Sequence, residues 1–245
     1  MVDTPPEMPE KRLGQRFLVP IVLLVSAFVA IILVFQWGNR AKPIRQVQFE
    51  GLVVLRPEDI FEFLGLEREA PDTSHWMEWE TKLLLHPRVH KVQVRRDPKG
   101  FLHIKIEEKV AEFVVHIGNS LYEVDESLQI LSKDSVLANH LIVITGNFPI
   151  TAGKIEGTQI MDITKDLRQA LTAYPKLKNR ISEITIENDG EHLLFTYSPS
   201  RIKVYLGDKL SLYSFRKLYA SLAYLENEGI SPSSIDLRGE DAVYH

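Results

Sequence analysis

Histidine is the residue type that most invites a chemical role here, since the 245-residue chain contains eight histidines. His86 and His90 are four residues apart, the spacing at which two side chains of a helix can bind one metal ion. Pro87 lies between them and breaks the helix that such a pair needs. His103 lies on an alternating segment, where its side chain is expected on the wet face. The sequence therefore predicts no metal site and no catalytic histidine.

Other common catalytic patterns are also missing. The chain has no cysteine, which excludes disulfides, thiolate metal sites and cysteine nucleophiles. No Gly-x-Ser-x-Gly motif occurs, and Gly153-Lys154 lacks the upstream glycines of a phosphate-binding loop. The adjacent acids Glu107-Glu108 and Glu240-Asp241 are predicted to be solvated charges at strand ends or in loops. We expect no enzyme activity, no cofactor and no small-molecule substrate.

The composition is that of a globular protein with one added apolar segment. Of its residues 44% are hydrophobic and 25% are charged, and the length suggests one or two domains. The formal net charge is −4. A chain with this balance has no basic field to neutralise phosphates, so we expect no nucleic-acid partner.

An apolar stretch near the N-terminus predicts a single transmembrane helix over residues 17–37, preceded by a short tail of residues 1–16. Phe17 to Phe35 contains no charged residue and would span roughly 28 Å as a helix, against about 30 Å of hydrocarbon. The alternative is a cleaved signal peptide, whose apolar core would be shorter and would end in a small-x-small site. Trp37 is placed where an interfacial aromatic is expected. Lysine and arginine are similarly frequent on both sides, which leaves the orientation open.

The pattern over residues 43–108 predicts a first domain with the element order β-α-α-β-β. A short strand comes first, and Pro57 and Gly65 then bound a helix. A second helix ends before Pro87, and alternation over residues 92–107 predicts a hairpin with one wet face.

Two tryptophans decide which face of the second helix is buried. Trp76 and Trp79 could form a ligand platform, but their helical spacing with Leu83 favours a core position. We expect the core of this domain to contain Phe49, Ile60, Leu64, Trp76, Trp79, Leu83, Val92, Val94, Ile104 and Ile106.

Residues 109–245 predict a C-terminal β domain. Gly118-Asn119 and Asn188-Asp189-Gly190 are hairpin turns between alternating strands. Amphipathic helices are predicted from Ile160 to Tyr174 and from about Lys209 to Asn227. The expected fold class is therefore α+β: one transmembrane helix, a β-α-α-β-β domain, and a mostly antiparallel sheet domain with two helices.

This order of elements resembles the FtsQ/DivIB family of bacterial cell-division proteins, whose first unit is a POTRA domain. The resemblance covers essentially the whole chain. Ile44–Gly51 is similar to the opening strand and turn of the family, and His86–Val115 resembles the segment that links its two domains. Val204–Asp208 and Ile235–Arg238 are among the more specific matches. The family commonly has an aromatic residue after Asp-Leu-Arg, where this chain has Gly239.

The resemblance implies a non-catalytic, membrane-anchored scaffold of the division machinery (the divisome) at the septum. Its N-terminus would lie inside and its domains outside the cytoplasmic membrane. In the family, the C-terminal sheet edge accepts a strand from a small single-pass partner of the FtsB/DivIC type, which pairs with FtsL. POTRA units in general pair with extended segments. Both are strand addition, in which an open edge offers unpaired N–H and C=O groups.

Two other functions stay open at this point. A different POTRA-bearing protein, which chaperones peptides or assists secretion, is expected to carry further POTRA units or a barrel downstream. A membrane-anchored hydrolase would need convergent titratable groups, and the sequence gives no sign of them.

The partner strand is expected to dock on the edge formed by Ser234–Arg238, with Val243-Tyr244 alongside. The expected partner-binding residues are Ser234, Ile235, Asp236, Leu237, Arg238, Gly239, Val243 and Tyr244. Ile235 and Leu237 alternate with Asp236 and Arg238, so one pair should face the core. We expect no later segment to cover the free edge of this strand, and we expect the preceding helix to hold it against the core. Arg238 is expected to meet an acidic residue of the incoming chain. The alternative is an ordinary last strand with a solvated, charge-blunted edge.

Overall fold

The computed structural model describes residues 24–32, 44–68, 71–187, 189–197 and 201–245. The chain divides into two compact units. The smaller contains residues up to Gln48 and Arg95–His103, and in it the Arg45 N–H donates to the Gly100 carbonyl at 2.8 Å. The larger contains Phe49–Val94 and Ile104–His245.

Residues 24–32, within the predicted transmembrane range, are helical and are called α1. Within the described ranges, no helix is both long enough and apolar enough to cross a membrane. The fold class was therefore wrong to include a transmembrane helix. The rest of the predicted range 17–37, and the tail 1–16, lie outside the described residues.

The segment from Gln46 to Glu108, called here the first region, has the element order β-α-α-β-β, as predicted. Its bounds are β1 Gln46–Glu50, α2 Pro57–Leu64, α3 Trp76–Leu83, β2 Val89–Arg96 and β3 Phe101–Glu108, and its strands are ordered β1-β3-β2. At the start of α2, the Asp59 carboxylate accepts the Arg56 N–H at 2.7 Å, and Gly65 ends the helix in the left-handed conformation. The glycine cap is the one that the sequence pattern predicts, and the contact between Asp59 and Arg56 adds a cap at the other end of the helix.

The core of this region is close to the predicted one. Six of the predicted residues are buried: Ile60, Trp79, Leu83, Val92, Ile104 and Ile106. Phe49, Leu64, Trp76 and Val94 are half-buried. On α2 the buried aromatic is Phe61, whose ring meets Phe49 edge-on at 5.3 Å.

Glu108 corrects the prediction that Glu107-Glu108 is a solvated pair. Its carboxylate accepts the N–H groups of Val53 at 2.7 Å and of Val54 and Leu55 at 3.1 Å. A carboxylate with three backbone donors holds a loop in place. Glu108 therefore fixes the segment between β1 and α2 to the end of β3.

The remaining strands form a nine-stranded sheet and a small hairpin. The sheet contains β4 Phe113–Ile117, β5 Ser120–Val124, β6 Ile130–Lys133, β7 Ile142–Thr145, β10 Ile181–Ile186, β11 His192–Thr196, β12 Lys203–Gly207, β13 Ser234–Asp236 and β14 Val243–Tyr244. The hairpin pairs β8 Ile150–Thr151 with β9 Lys154–Ile155. The strand order in the sheet is β14-β13-β12-β11-β10-β7-β4-β5-β6.

This sheet is mixed: five of its eight neighbouring strand pairs are antiparallel, and three, which the sequence pattern did not predict, are parallel. Strand β7 runs parallel to both β4 and β10, and β13 runs parallel to β12. Parallel neighbours need a crossover connection, and helices supply it for two of these three pairs: α4, Thr158–Ala173, between β7 and β10, and α5, Leu212–Glu228, between β12 and β13. Strands β5 and β6 lie in the connection between β4 and β7. Because these partners are distant in sequence, the local strand patterns carried no sign of their direction.

One row of aliphatic side chains crosses six strands of the sheet in register. Each member is fully buried, and each is the cross-strand neighbour of the next. The row, called here the aliphatic row, consists of Val115, Ile144, Ile184, Leu194, Val204 and Ile235. Helices α4 and α5 pack on this side through residues such as Leu167, Phe215 and Leu218, in the same continuous core.

Trp79→Ala tests the core of the first region. Trp79 is 2% exposed, so the substitution should lower the free energy of unfolding by about 3–5 kcal/mol. The matched control is Met77→Ala on the same helix, where 74% exposure predicts a change within about 0.5 kcal/mol. Urea unfolding of the full chain measures both. Equal effects would mean that Trp79 is not a core residue.

Candidate partner-binding edge

The eight predicted partner-binding residues lie together at one end of the nine-stranded sheet. Ser234, Ile235 and Asp236 form β13, and Val243 and Tyr244 form the outermost strand β14. The remaining three lie in the connection between these strands: Leu237, Arg238 and Gly239. The structure therefore gathers all eight residues into one short hairpin.

The alternation predicted for this segment is confirmed. Ile235 is fully buried and Leu237 is 2% exposed, and both belong to the main core. Asp236 and Arg238 lie on the opposite side, with their charged groups near solvent. Ile235 ends the aliphatic row, so the hairpin is anchored to the centre of the sheet.

Strand β14 corrects the expectation that no later segment covers β13. Ile235 pairs with Tyr244 and Asp236 with Val243, in antiparallel register. The next pair, Ser234 and His245, exchanges both backbone hydrogen bonds, at 3.2 and 3.0 Å. The outer edge is therefore that of β14.

The register determines which backbone groups face outward. Hydrogen-bonded and non-hydrogen-bonded pairs alternate along an antiparallel ladder. Since Ser234 and His245 form a hydrogen-bonded pair, Ile235 and Tyr244 form a non-hydrogen-bonded pair. The N–H and C=O of Tyr244 therefore point away from β13, in the direction from which an added strand would approach.

Helix α5 supports this hairpin from beneath. The Lys217 ammonium donates to the carbonyls of Leu237 and Gly239, each at 2.5 Å. The Tyr244 hydroxyl donates to Ser221 Oγ at 3.3 Å, and the Tyr244 ring lies 6.0 Å from that of Tyr224. These contacts fix the direction in which the outer edge of β14 is presented.

Sequence reasoning missed the three helix residues involved in this support. Lys217, Ser221 and Tyr224 are spaced i, i+4 and i+7, so they lie on one face of α5. That spacing was a usable signal. The apolar stripe from Phe215 to Leu225 is the stronger pattern in this helix and indicates only its core-facing side.

Arg238 is bound within its own chain, which differs from the role expected for it. Its guanidinium donates to Asp236, with Nη2 to Oδ2 at 2.6 Å, and to Glu191, with Nη1 to Oε1 at 3.1 Å. It also lies 5.2 Å from the centre of the Tyr205 ring. Two carboxylates already balance its charge, so Arg238 holds the hairpin and has no need of an acid on an incoming strand.

This pairing shifts the pKa of both groups. The hydrogen bonds from Arg238 lower the pKa of Asp236 from its ordinary value of 3.8 to about 2, and the bond to Asp236 raises the pKa of Arg238. A lowered carboxyl pKa stabilises the folded state above the ordinary value, and this stabilisation is lost as the pH falls from 3.8 toward about 2.

The histidines lie at separate positions. His75 lies 3.3 Å from Glu78 and His103 lies 3.6 Å from Asp97. His86 Nδ1 accepts the N–H of Arg88, and burial followed by the nearby Arg88 charge lowers the pKa of His86. In the part of the chain that the structure describes, no group of three or more histidine, aspartate or glutamate residues is arranged to hold a metal ion.

No protein-family model matches this chain, and comparison with curated proteins finds no significant match.

The pairing of Asp236 predicts a measurable titration. In a carbon-detected NMR titration of the full chain, the Asp236 carboxyl should titrate near pH 2, because Arg238 stabilises its charged form. In Arg238→Gln its midpoint should rise toward 3.8. A midpoint near 3.8 in the unmodified chain would contradict the pairing and would leave Arg238 available to a partner.

Proposed function

We propose that this protein is a non-catalytic scaffold of the bacterial cell-division machinery. In this proposal it acts at the septum, on the outer side of the cytoplasmic membrane. It binds a small single-pass division protein of the FtsB/DivIC type, together with its FtsL-type companion, by strand addition at the edge of β14. The observation that carries the proposal is the outward-facing backbone of Tyr244, on a short outermost strand that α5 holds in place.

The resemblance of the sequence to FtsQ/DivIB supports the same assignment. The segments that carry it include Val204–Asp208 and Ile235–Arg238, and both lie at this end of the sheet. Val204 and Ile235 are cross-strand neighbours in the aliphatic row. The patterns that suggested the family therefore belong to the hairpin that offers the edge.

The two residues of β14 limit what the backbone alone can contribute. Tyr244 offers one outward N–H and one outward C=O, and a net hydrogen bond is worth about 0.5–1.5 kcal/mol. Specific binding therefore needs side-chain contacts as well. Val243 and Tyr244 are 49% and 37% exposed, and Tyr224 beside them is 48% exposed. An apolar or aromatic side chain on the incoming strand would bury this surface.

A proline in place of Tyr244 tests whether the partner binds to the outward-facing backbone of β14. Tyr244→Pro removes the outward N–H but leaves the hydrogen bonds between β13 and β14, since those belong to neighbouring residues. The matched control Tyr244→Ala removes the same ring and keeps the N–H. The proline variant should bind the extracytoplasmic segment of an FtsB/DivIC-type protein roughly tenfold more weakly than the alanine variant.

Calorimetry with the full chain measures these affinities, and thermal unfolding shows whether each variant is folded. Equal affinities of two folded variants would place the partner on another surface. Binding by neither variant nor by the unmodified chain would argue against an FtsB/DivIC-type partner altogether.

A depletion experiment tests the cellular role. If the protein is a division scaffold, cells depleted of it should elongate without forming septa, and expression of the unmodified chain should restore division. Tyr244→Ala should restore division better than Tyr244→Pro at equal protein level, as measured by cell length. Normal division combined with a secretion defect would favour the alternative, a POTRA-type protein that assists secretion.

A further inference from the structure

Arg88 is a buried arginine in the turn between α3 and β2. Its side chain is 1% exposed. Its N–H donates to His86 Nδ1 at 3.1 Å, and its carbonyl accepts the N–H of Lys109 at 2.8 Å. The backbone of Arg88 therefore joins this turn to the residue that follows β3.

The guanidinium of Arg88 pairs with Glu123 of β5, whose side chain is fully buried. Nη2 of Arg88 donates to Oε2 of Glu123. Nη1 is also buried, and it has no hydrogen-bond acceptor among the described residues. Glu123 is therefore the carboxylate that compensates the charge of Arg88 inside the protein.

Glu123 also organises the elements around it. It accepts the Ser132 hydroxyl of β6 at 2.6 Å, and the N–H groups of Leu137 and Ala138 at 2.9 and 2.7 Å. One carboxylate thus holds β5, β6 and the loop after β6. Its fourth donor, Arg88, is 35 residues away in sequence and comes from the first region.

A second ion pair, between Arg168 of α4 and Glu112, provides a comparison. Arg168 donates to both carboxylate oxygens of Glu112, with Nη2 to Oε2 at 2.7 Å. The two side chains are 37% and 30% exposed, so water can replace either partner. Arg88 and Glu123 have no such access, and removal of one would leave an uncompensated charge in the interior.

From this contrast we propose that the Arg88–Glu123 pair is a latch between two parts of the larger compact unit. One part is Phe49–Val94, with α2, α3 and the start of β2, and the other is the nine-stranded sheet. Neither part can keep its half of the pair buried once the other part unfolds. The latch therefore makes both parts unfold in one transition. This inference is independent of the proposed function.

The latch has a consequence for binding. A ligand that binds only the folded state stabilises every element that unfolds in the same transition. A partner bound to the sheet would therefore also stabilise α3, far along the sequence. Without the latch, that stabilisation would be confined to the part that binds.

The test measures unfolding in both parts of the full chain at once. Urea titration is combined with pulsed hydrogen exchange and mass spectrometry, with one peptide covering Trp76–Leu83 and another covering Ile142–Thr145. In the unmodified chain, the α3 peptide and the β7 peptide should have the same urea midpoint of unfolding. In Arg88→Leu and in Glu123→Gln, the midpoint of the α3 peptide should fall below that of the β7 peptide by roughly 1 M urea or more.

The control is Glu112→Gln, which breaks the partly exposed pair. This variant should leave the two midpoints coincident, even if both shift together. Glu123→Gln keeps a carbonyl acceptor, so it provides the comparison if Arg88→Leu does not fold. Coincident midpoints in the folded latch variants, or separate midpoints in the unmodified chain, would overturn the proposal.

Discussion

The aliphatic row is the interaction on which most of this structure depends. Six fully buried side chains stand in register across six strands, from Val115 of β4 to Ile235 of β13. Burial of each contributes about 1.5–3 kcal/mol. The row also sets the register of every strand it crosses, since a slip of one residue would turn its members toward solvent. The next cross-strand neighbour after Ile235 is Tyr244, so the position of the outer edge follows from the same register.

Charges in this protein act in two different ways. Arg238 near the surface is satisfied by Asp236 and Glu191, which turns a charge expected to attract a partner into one that stabilises the hairpin. Inside the protein, the buried Glu123 accepts hydrogen bonds from four donors in three places: Arg88, Ser132 of β6, and the loop after β6. Arg238 and Glu191 are 47 residues apart and Arg88 and Glu123 are 35 apart, so both pairs join distant segments. They differ in exposure, since water reaches the first pair and not the second.

Local sequence patterns predicted α4, α5, the hairpin turns and the β-α-α-β-β order, because each depends on residues that are neighbours in the chain. They could not give the parallel direction of β7, whose partners Val115 and Ile184 for Ile144 are about 30 to 40 residues away. The residues of the candidate edge were predicted as a group, but the cover by β14 was not. Glu123 was missed altogether: a glutamate in a short strand gives no sign of burial until its arginine partner, 35 residues earlier, is placed beside it.

The strand order also fixes a distance. Nine strands have eight gaps of about 4.8 Å, so the two edges of the sheet, β14 and β6, lie roughly 38 Å apart along its surface. An extended peptide would need about 12 residues to run from one edge to the other. A short segment bound at β14 therefore cannot reach β6, and a ligand at either edge would occupy the sheet without obstructing the other. The width of the sheet therefore keeps its two edges well apart.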